Sequence, residues 1–317
     1  MSNIKSYDSI AVIGPTASGK TKLAVQLAYK LHGQIISVDS RMVFKGMDIG
    51  TGKDLAEYTH QNRPIIYHMI DLVEPWEDYH IYQFQQDFKK AFGSIQCIGK
   101  TPILAGGSGL YLEAVIQDFE YTSIPSNKEK RGALEELSLL ALQHQFQLMD
   151  IHPYKEIADL ATKKRAIRAI EILDYLLTNP EFALPISKPI RPFIIGLNPP
   201  LELRRNRIID RLHSRIKEGL ITEVEDLLEK GVTKERLSFF GLEYKWVVTF
   251  LEGQISKTEM VTHLGIAIQQ FSKRQMTYFR KMEKSGLKIH WISNPSEIDL
   301  LMPMLASFEG INTNCNY

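Results

Sequence analysis

Gly14-Pro15-Thr16-Ala17-Ser18-Gly19-Lys20-Thr21 is the stretch that decides the fold. It fills every fixed position of the pattern G-x-x-x-x-G-K-[ST], a phosphate-binding loop. The flanks agree with that reading. Residues 9–13, Ser-Ile-Ala-Val-Ile, form a short apolar run of the kind a buried parallel strand needs. Residues 20–31 put Leu23, Ala24, Leu27, Ala28 and Leu31 on one helical face. A loop between strand and helix points backbone N–H groups at an anion, and the helix N-terminus adds partial positive charge. Lys20 contributes a point charge, and the Thr21 hydroxyl is the candidate ligand for Mg²⁺, the expected cofactor. Such a loop takes a di- or triphosphate, ATP included, and does not name the chemistry.

Outward from the loop, strands are expected at 34–38 ending on Asp39, at 65–70 ending on Asp71, and at 102–105 followed by Gly106-Gly107. Helical patterns cover 82–92 and the chain from 109. Strands alternating with helices give an α/β fold, a P-loop NTPase-like parallel sheet flanked by helices. Ligands in such sheets sit at the carboxyl ends of the strands, where the loop, Asp39, Asp71 and Gly106–Ser108 all fall. After 119 the pattern changes. Residues 128–147 and 154–177 read as helical with no strand between them, 178–192 is irregular, and 193–197 returns as a core strand. The expected organisation is a discontinuous core domain (1–119 and 189–300), a helical insertion domain (120–188) and a C-terminal tail (301–317), disordered over 312–317. From 201 the core reads as largely helical.

The 317 residues are 44% hydrophobic and 24% charged, ordinary globular usage. No stretch approaches the ~20 apolar residues of a membrane span, and residues 1–8 lack a signal-peptide core. A cytoplasmic monomer is expected. A net charge of +1 does not announce a nucleic-acid partner, so any such site must be built from local basic clusters. Cys97 and Cys315 fit one core thiol and one tail thiol, with no metal spacing and no disulfide. His68, His80, His152 and His213 match no zinc pattern and read as structural.

Asp39 is the informative acid. A carboxylate beside bound phosphates is repelled by them, so it needs another reason to stand there. Holding Mg²⁺, accepting a proton from an attacking group, and capping a following helix are the three readings its position leaves open. Asp71 ends a strand where a Walker-B acid would, although a turn or cap role is the stronger reading.

Several segments together resemble one family, the tRNA dimethylallyltransferases. They are the phosphate loop itself; Ile36-Ser37-Val38-Asp39-Ser40, running on to Lys45-Gly46-Met47-Asp48-Ile49-Gly50-Thr51; His68-Met69-Ile70-Asp71-Leu72, with Pro75 and 79–84; Gly106-Gly107-Ser108-Gly109-Leu110-Tyr111; Arg165 with Arg168-Ala169-Ile170-Glu171; Gly219-Leu220 with Glu223-Val224; and Lys273-Arg274-Gln275-Met276-Thr277-Tyr278-Phe279-Arg280. Seven segments in the family's order across 14–280 make the resemblance specific. It implies transfer of the dimethylallyl group from dimethylallyl diphosphate to N6 of adenosine 37, beside the anticodon of tRNA. The phosphate loop would then hold a diphosphate leaving group, with Arg211 reaching inward to it and Arg207 a weaker candidate. By the same resemblance Asp39 is the general base. The implied tRNA-contacting residues are Asp39, Ser40, Arg41, Met42, Ser108, Arg131, Lys164, Arg165, Arg168, Lys273, Arg274, Gln275 and Arg280, with the segment 239–244.

Basic residues read by spacing agree. Arg204, Arg207, Arg211 and Arg215 share one helical face; Lys164, Arg165 and Arg168 form a second cluster; Lys273, Arg274, Arg280 and Lys281, interleaved with Tyr278 and Phe279, form a third. Some positions depart from the family's pattern. Gly241-Leu242-Glu243-Tyr244 stands for a Gly-Tyr pair, Arg215 for a Met, Lys164 for an Arg, Thr162 for an Asp, and Asp54 for a Pro. The main rival is a small-molecule kinase using ATP on the same loop, which leaves the 273–280 segment unexplained. A GTPase-like RNA-binding module lacks its Asn-Lys-x-Asp motif. An adenylate isopentenyltransferase would not need the C-terminal basic residues.

Overall fold

The structure is a computed structural model describing residues 7–186 and 188–305. The core opens with β1 (Ser9–Ile13), the phosphate loop, α1 (Lys20–Lys30) and β2 (Gln34–Ser37). A small antiparallel hairpin follows, β3 (Thr59–His60) with β4 (Arg63–Pro64), then β5 (Tyr67–His68), α2 (Ile81–Cys97), β6 (Pro102–Gly106) and α3 (Gly109–Gln117). After the insertion come β7 (Pro192–Leu197), α8 (Leu201–Glu218), α9 (Leu220–Glu229), α10 (Lys234–Phe240), α11 (Leu242–Leu251), α12 (Lys257–Lys284), β8 (Ile289–Ile292) and α13 (Met302–Leu305). Six strands form one sheet in the order β5-β2-β6-β1-β7-β8, every pair parallel.

Both faces of this sheet are covered, which is why β1 is apolar at nearly every position instead of alternating. Ile10 and Val12 pack with Leu23 and Leu27 of α1 on one face. Ala11 and Ile13 pack with Phe84 and Phe88 of α2, and with Met276 and Phe279 of α12, on the other. A third cluster joins Ile208, Leu212, Val224, Val247 and Leu264 of α8, α9, α11 and α12 to Val43, Phe44 and Met47 of the segment after β2. That helical layer fixes the long connection from Asp39 to Asp54 over the sheet's carboxyl edge.

The chain divides into two compact units, Met1–Asp118 with Pro189–Tyr317, and Phe119–Lys188. The second is all helical: α4 (Lys128–Glu135), α5 (Leu139–Leu148), α6 (Tyr154–Ile157) and α7 (Lys163–Thr178) around Leu142, Phe146, Ile170 and Leu173. Both long helical expectations here are interrupted. Ser138 caps α5 by accepting from Ala141 N (3.2 Å), and Thr162 caps α7 by accepting from Arg165 N (3.4 Å).

Other expectations are corrected. The strand expected at 65–70 shrinks to Tyr67–His68, because Met69 and Asp71 adopt left-handed φ values of 66° and 56° and carry the chain off the sheet. The reading of the chain beyond 201 missed β8, a four-residue edge strand whose His290 and Trp291 break the apolar signal. The tail expected from 301 does not start there, since Leu305 is fully buried in the core. Cys97 is exposed at the end of α2 and is not a core thiol. Cys315 and the tail over 312–317 lie outside the described residues. The histidines are structural where their partners are seen: His68 Nε2 meets Gln34 Oε1 at 2.7 Å, and His152 Nδ1 accepts from Tyr154 N at 3.1 Å. Among the described residues no helix is long and apolar enough to cross a membrane.

Candidate active site

The phosphate loop leaves the carboxyl end of β1 and turns into α1 through two left-handed residues, Ala17 (φ 59°) and Gly19 (φ 93°). A cavity of about 340 Å³ lies against it. Thr16, Lys20 and Thr21 of the loop line it with Asp39–Met42, Gly50–Gly52, Gly107–Tyr111, Arg211, Arg215 and residues of α11 and α12. Three separate predictions, the loop, the end of β2 and the Gly-Gly-Ser segment, therefore meet at one place. Burial pushes the Lys20 ammonium down to about 8, with the neighbouring Arg211 charge acting in the same direction and Asp39 opposing. An anion entering here meets a lysine that gains on staying protonated.

Asp39 lies across the cavity. Its Oδ1 accepts from Arg41 N at 2.9 Å, so the carboxylate closes a tight turn; no helix follows for it to cap. Burial raises its proton affinity above that of an ordinary aspartate, opposed by the turn hydrogen bonds and by Lys20. Arg41 stacks its guanidinium 5.7 Å from the Phe240 ring centre. Ser40 N donates to Ser108 Oγ (3.3 Å), tying the segment after β2 to the one after β6. The side chain of Met42 turns back to accept from Ser37 Oγ (3.4 Å). Asp71 has no place at the cavity. Its carboxylate pairs with the fully buried Lys53, whose Nζ also reaches Asp48 Oδ1 (2.6 Å) and the Phe44 carbonyl (2.7 Å).

Helix α12 closes the site in a way the sequence did not announce. Gln275, expected to face RNA, is 6% exposed. It accepts from Thr16 N (2.8 Å) and donates to the Gly107 carbonyl (3.0 Å), so one amide joins the phosphate loop to the end of β6. A Cβ at Gly107 would lie 2.3 Å from Gln275 Nε2, which explains the glycine by close approach. Its neighbour Arg274 does line the cavity, and Lys273 and Arg280 are exposed.

The loop from Asp48 to Asp54 forms another wall. Glu223 of α9 accepts from Asp48 N (2.7 Å), Ile49 N (2.6 Å) and Gly50 N (2.9 Å), and takes the Tyr244 hydroxyl (2.9 Å). A side chain at Gly52 would collide with the guanidinium of Arg215. In the sequence Glu223 stands out only as part of a matching segment, because a carboxylate serving three successive amides leaves no local pattern.

The basic face read on α8 splits. Arg204 is buried and donates to Asn198 Oδ1 (2.9 Å), and Arg215 is buried against Glu243 (3.2 Å). Arg211 turns into the cavity, and Arg207 is exposed. Only part of this face can therefore meet phosphates from solvent. Within the insertion, Arg131 pairs with the buried Glu171 (2.6 Å), while Arg168 donates to the carbonyls of Tyr121 (3.1 Å) and Ile124 (2.6 Å). Those two arginines hold the insertion together. Arg165 is exposed with Asp159 at 2.9 Å, and Lys164 is exposed.

A family model, "IPP transferase", matches residues 42–282. The chain belongs to the IPP transferase family. The match begins just after Asp39 and the phosphate loop, but whole-chain relatives span them. This family member is 46% identical over 294 residues to "tRNA dimethylallyltransferase 2" of Porphyromonas gingivalis, covering 93% of this chain and 94% of that one. It is 43% identical over 308 residues to a protein of the same name from Phocaeicola vulgatus, covering 97% of each. Among solved structures it resembles the full-length tRNA isopentenylpyrophosphate transferase of Bacillus halodurans, with a TM-score of 0.68, 29% identity, and 96% and 97% of the two chains covered. A eukaryotic dimethylallyltransferase acting on tRNA shares the fold at a TM-score of 0.72 and 21% identity, with 95% and 78% covered. The parallel sheet with flanking helices is thus the fold of the family.

Proposed function

We propose that this protein transfers the dimethylallyl group of dimethylallyl diphosphate to N6 of adenosine 37 in the anticodon stem-loop of tRNA, releasing diphosphate. The observation that carries the reading is a phosphate loop and a buried carboxylate, Asp39, facing one cavity in a member of this family. The diphosphate sits on the N-terminus of α1 with Lys20 and Arg211 beside it. The N6–carbon bond forms as the carbon–oxygen bond to diphosphate breaks, and the electron pair leaves on diphosphate. Asp39 accepts the N6 proton, a role suited by the raised proton affinity of a buried carboxyl.

Magnesium fits as an ion that arrives with the diphosphate. Thr21 lines the cavity, and among the described residues no group of three or more His, Cys, Asp or Glu forms a separate cage. When bound, it spreads the charge that grows on the leaving group. The adenine must leave the anticodon-loop stack to enter, and Tyr111, Phe271 and Tyr278 on the cavity wall supply faces for it. Arg274, Lys273 and Arg280, with the exposed Lys164 and Arg165, are the cations offered to tRNA phosphates. Gln275, Arg131 and Arg168 act from behind as braces. The chain works as a cytoplasmic monomer on this reading. Phosphoryl transfer to a small molecule is disfavoured by the relatives' names, each of which couples a prenyl group to tRNA.

The test is prenyl transfer by the purified protein with Mg²⁺, radiolabelled dimethylallyl diphosphate and unmodified tRNA. Label is expected in the RNA and lost when adenosine 37 becomes guanosine. Absence of label, with ATP consumed on hydroxyl substrates instead, would restore the kinase.

A further inference from the structure

We propose that Asp54 is a competing counter-ion that holds Arg211 until a diphosphate takes it, and so sets how tightly the site binds diphosphate. The proposal rests on the phosphate-loop reading above. Arg211 and Arg215 form a wall shared by the cavity and by an open groove of about 990 Å³ on its other side; Asp54 lines only the groove. Each guanidinium has its own carboxylate. Arg215 pairs with Glu243 at 3.2 Å, with side chains only 10% and 8% exposed. Arg211 pairs with Asp54, with side chains 34% and 29% exposed, and the same Asp54 oxygen lies 3.9 Å from Arg215. Of the two pairs, the second is the more open to solvent and to an incoming anion.

The placement of Asp54 is built into the loop. Glu223 clamps Asp48–Gly50, buried Lys53 anchors the next turn, and Gly52 lies flush against the guanidiniums. Asp54 itself adopts φ 43°, a conformation few non-glycine residues take. It precedes the short turn Leu55–Glu57, yet its side chain makes no capping hydrogen bond there. Its carboxylate is committed to Arg211 instead. A diphosphate that draws Arg211 to the phosphate loop competes with this pair, and the cost of loosening it is subtracted from affinity.

Isothermal titration with inorganic diphosphate tests the idea on wild type, Asp54→Asn, Arg211→Gln and the double variant. Asparagine tolerates the left-handed backbone, and Asp54→Gly serves equally if that protein fails to fold. Asp54→Asn is expected to bind diphosphate about tenfold tighter, with a matching fall in the KM for dimethylallyl diphosphate and no rise in kcat. In the Arg211→Gln background the same change should do nothing. Unchanged or weaker binding by Asp54→Asn beside a wild type that binds normally would overturn the assignment of Asp54 alone. A wild type that binds no diphosphate would remove the phosphate-loop reading, and this proposal with it.

Discussion

At the scale of single residues, Asp39 and Lys20 carry opposite charges in the same cavity, and each is displaced by burial. Replacing Asp39 by Ala should leave diphosphate affinity nearly intact while kcat falls by ~10²-fold or more, the usual loss for a positioned base. Single-turnover transfer with saturating diphosphate donor measures this; undiminished turnover would retire Asp39 as the base. The two pKa directions also shape the pH profile. A base whose folded pKa is raised works only above that value, so the acid limb of kcat/KM should lie above the ordinary carboxylate range. A lysine lowered to about 8 loses its proton above that pH, so diphosphate affinity should weaken there, well before an ordinary lysine would titrate. Calorimetry across pH 6.5 to 9.5, a window of roughly 1.5 units either side of that value, would show the bend. Both residues were legible in sequence, because the loop motif and the end of a strand are local signals. The choice among three roles for Asp39 was not, since it depends on what lies across the cavity.

At the scale of elements, α12 has two functions on neighbouring residues. Arg274 faces the cavity and solvent, while Gln275 turns inward to the phosphate loop. Arg274→Ala should weaken tRNA binding and reduce the slope of log K against log salt by about one unit. Gln275→Leu should leave that slope alone and instead cost about 1–3 kcal/mol of stability, because a buried N–H and a buried carbonyl lose their partner. Salt-dependent binding and thermal unfolding separate the two; a changed slope in Gln275→Leu would return it to the RNA surface. In the sequence the basic segment 273–280 reads as one RNA-facing strip. Helical periodicity shows that adjacent residues point apart, but which one faces the core is decided by the Thr16 amide some 259 positions away. The same limit applied to α8, where the arginine stripe was visible and its carboxylate partners Glu243 and Asp54 were not.

At the scale of the whole molecule, the insertion has its own core, closed by the Arg131–Glu171 pair and by Arg168 on backbone carbonyls. Leu173, fully buried in that core, is expected to cost about 2–5 kcal/mol when replaced by Ala. Hydrogen exchange should then quicken over 128–178 while diphosphate binding persists; a parallel loss of diphosphate affinity would show that the two units fold as one. The doubly covered sheet was readable from strands alternating with helices, and the return of an apolar run near 193 marked the end of the insertion. Edge strands were read poorly, since β5 and β8 pair on one side only and need fewer apolar residues to do so.

The contact between Gly107 and Gln275 also constrains how this chain can drift. A side chain added at 107 must push the Gln275 amide aside, and moving or shortening Gln275 strands the Thr16 amide. Either change alone gives up the hydrogen bonds that join the phosphate loop to the end of β6. A lineage that gains a side chain at 107 should therefore be found to have changed 275 as well.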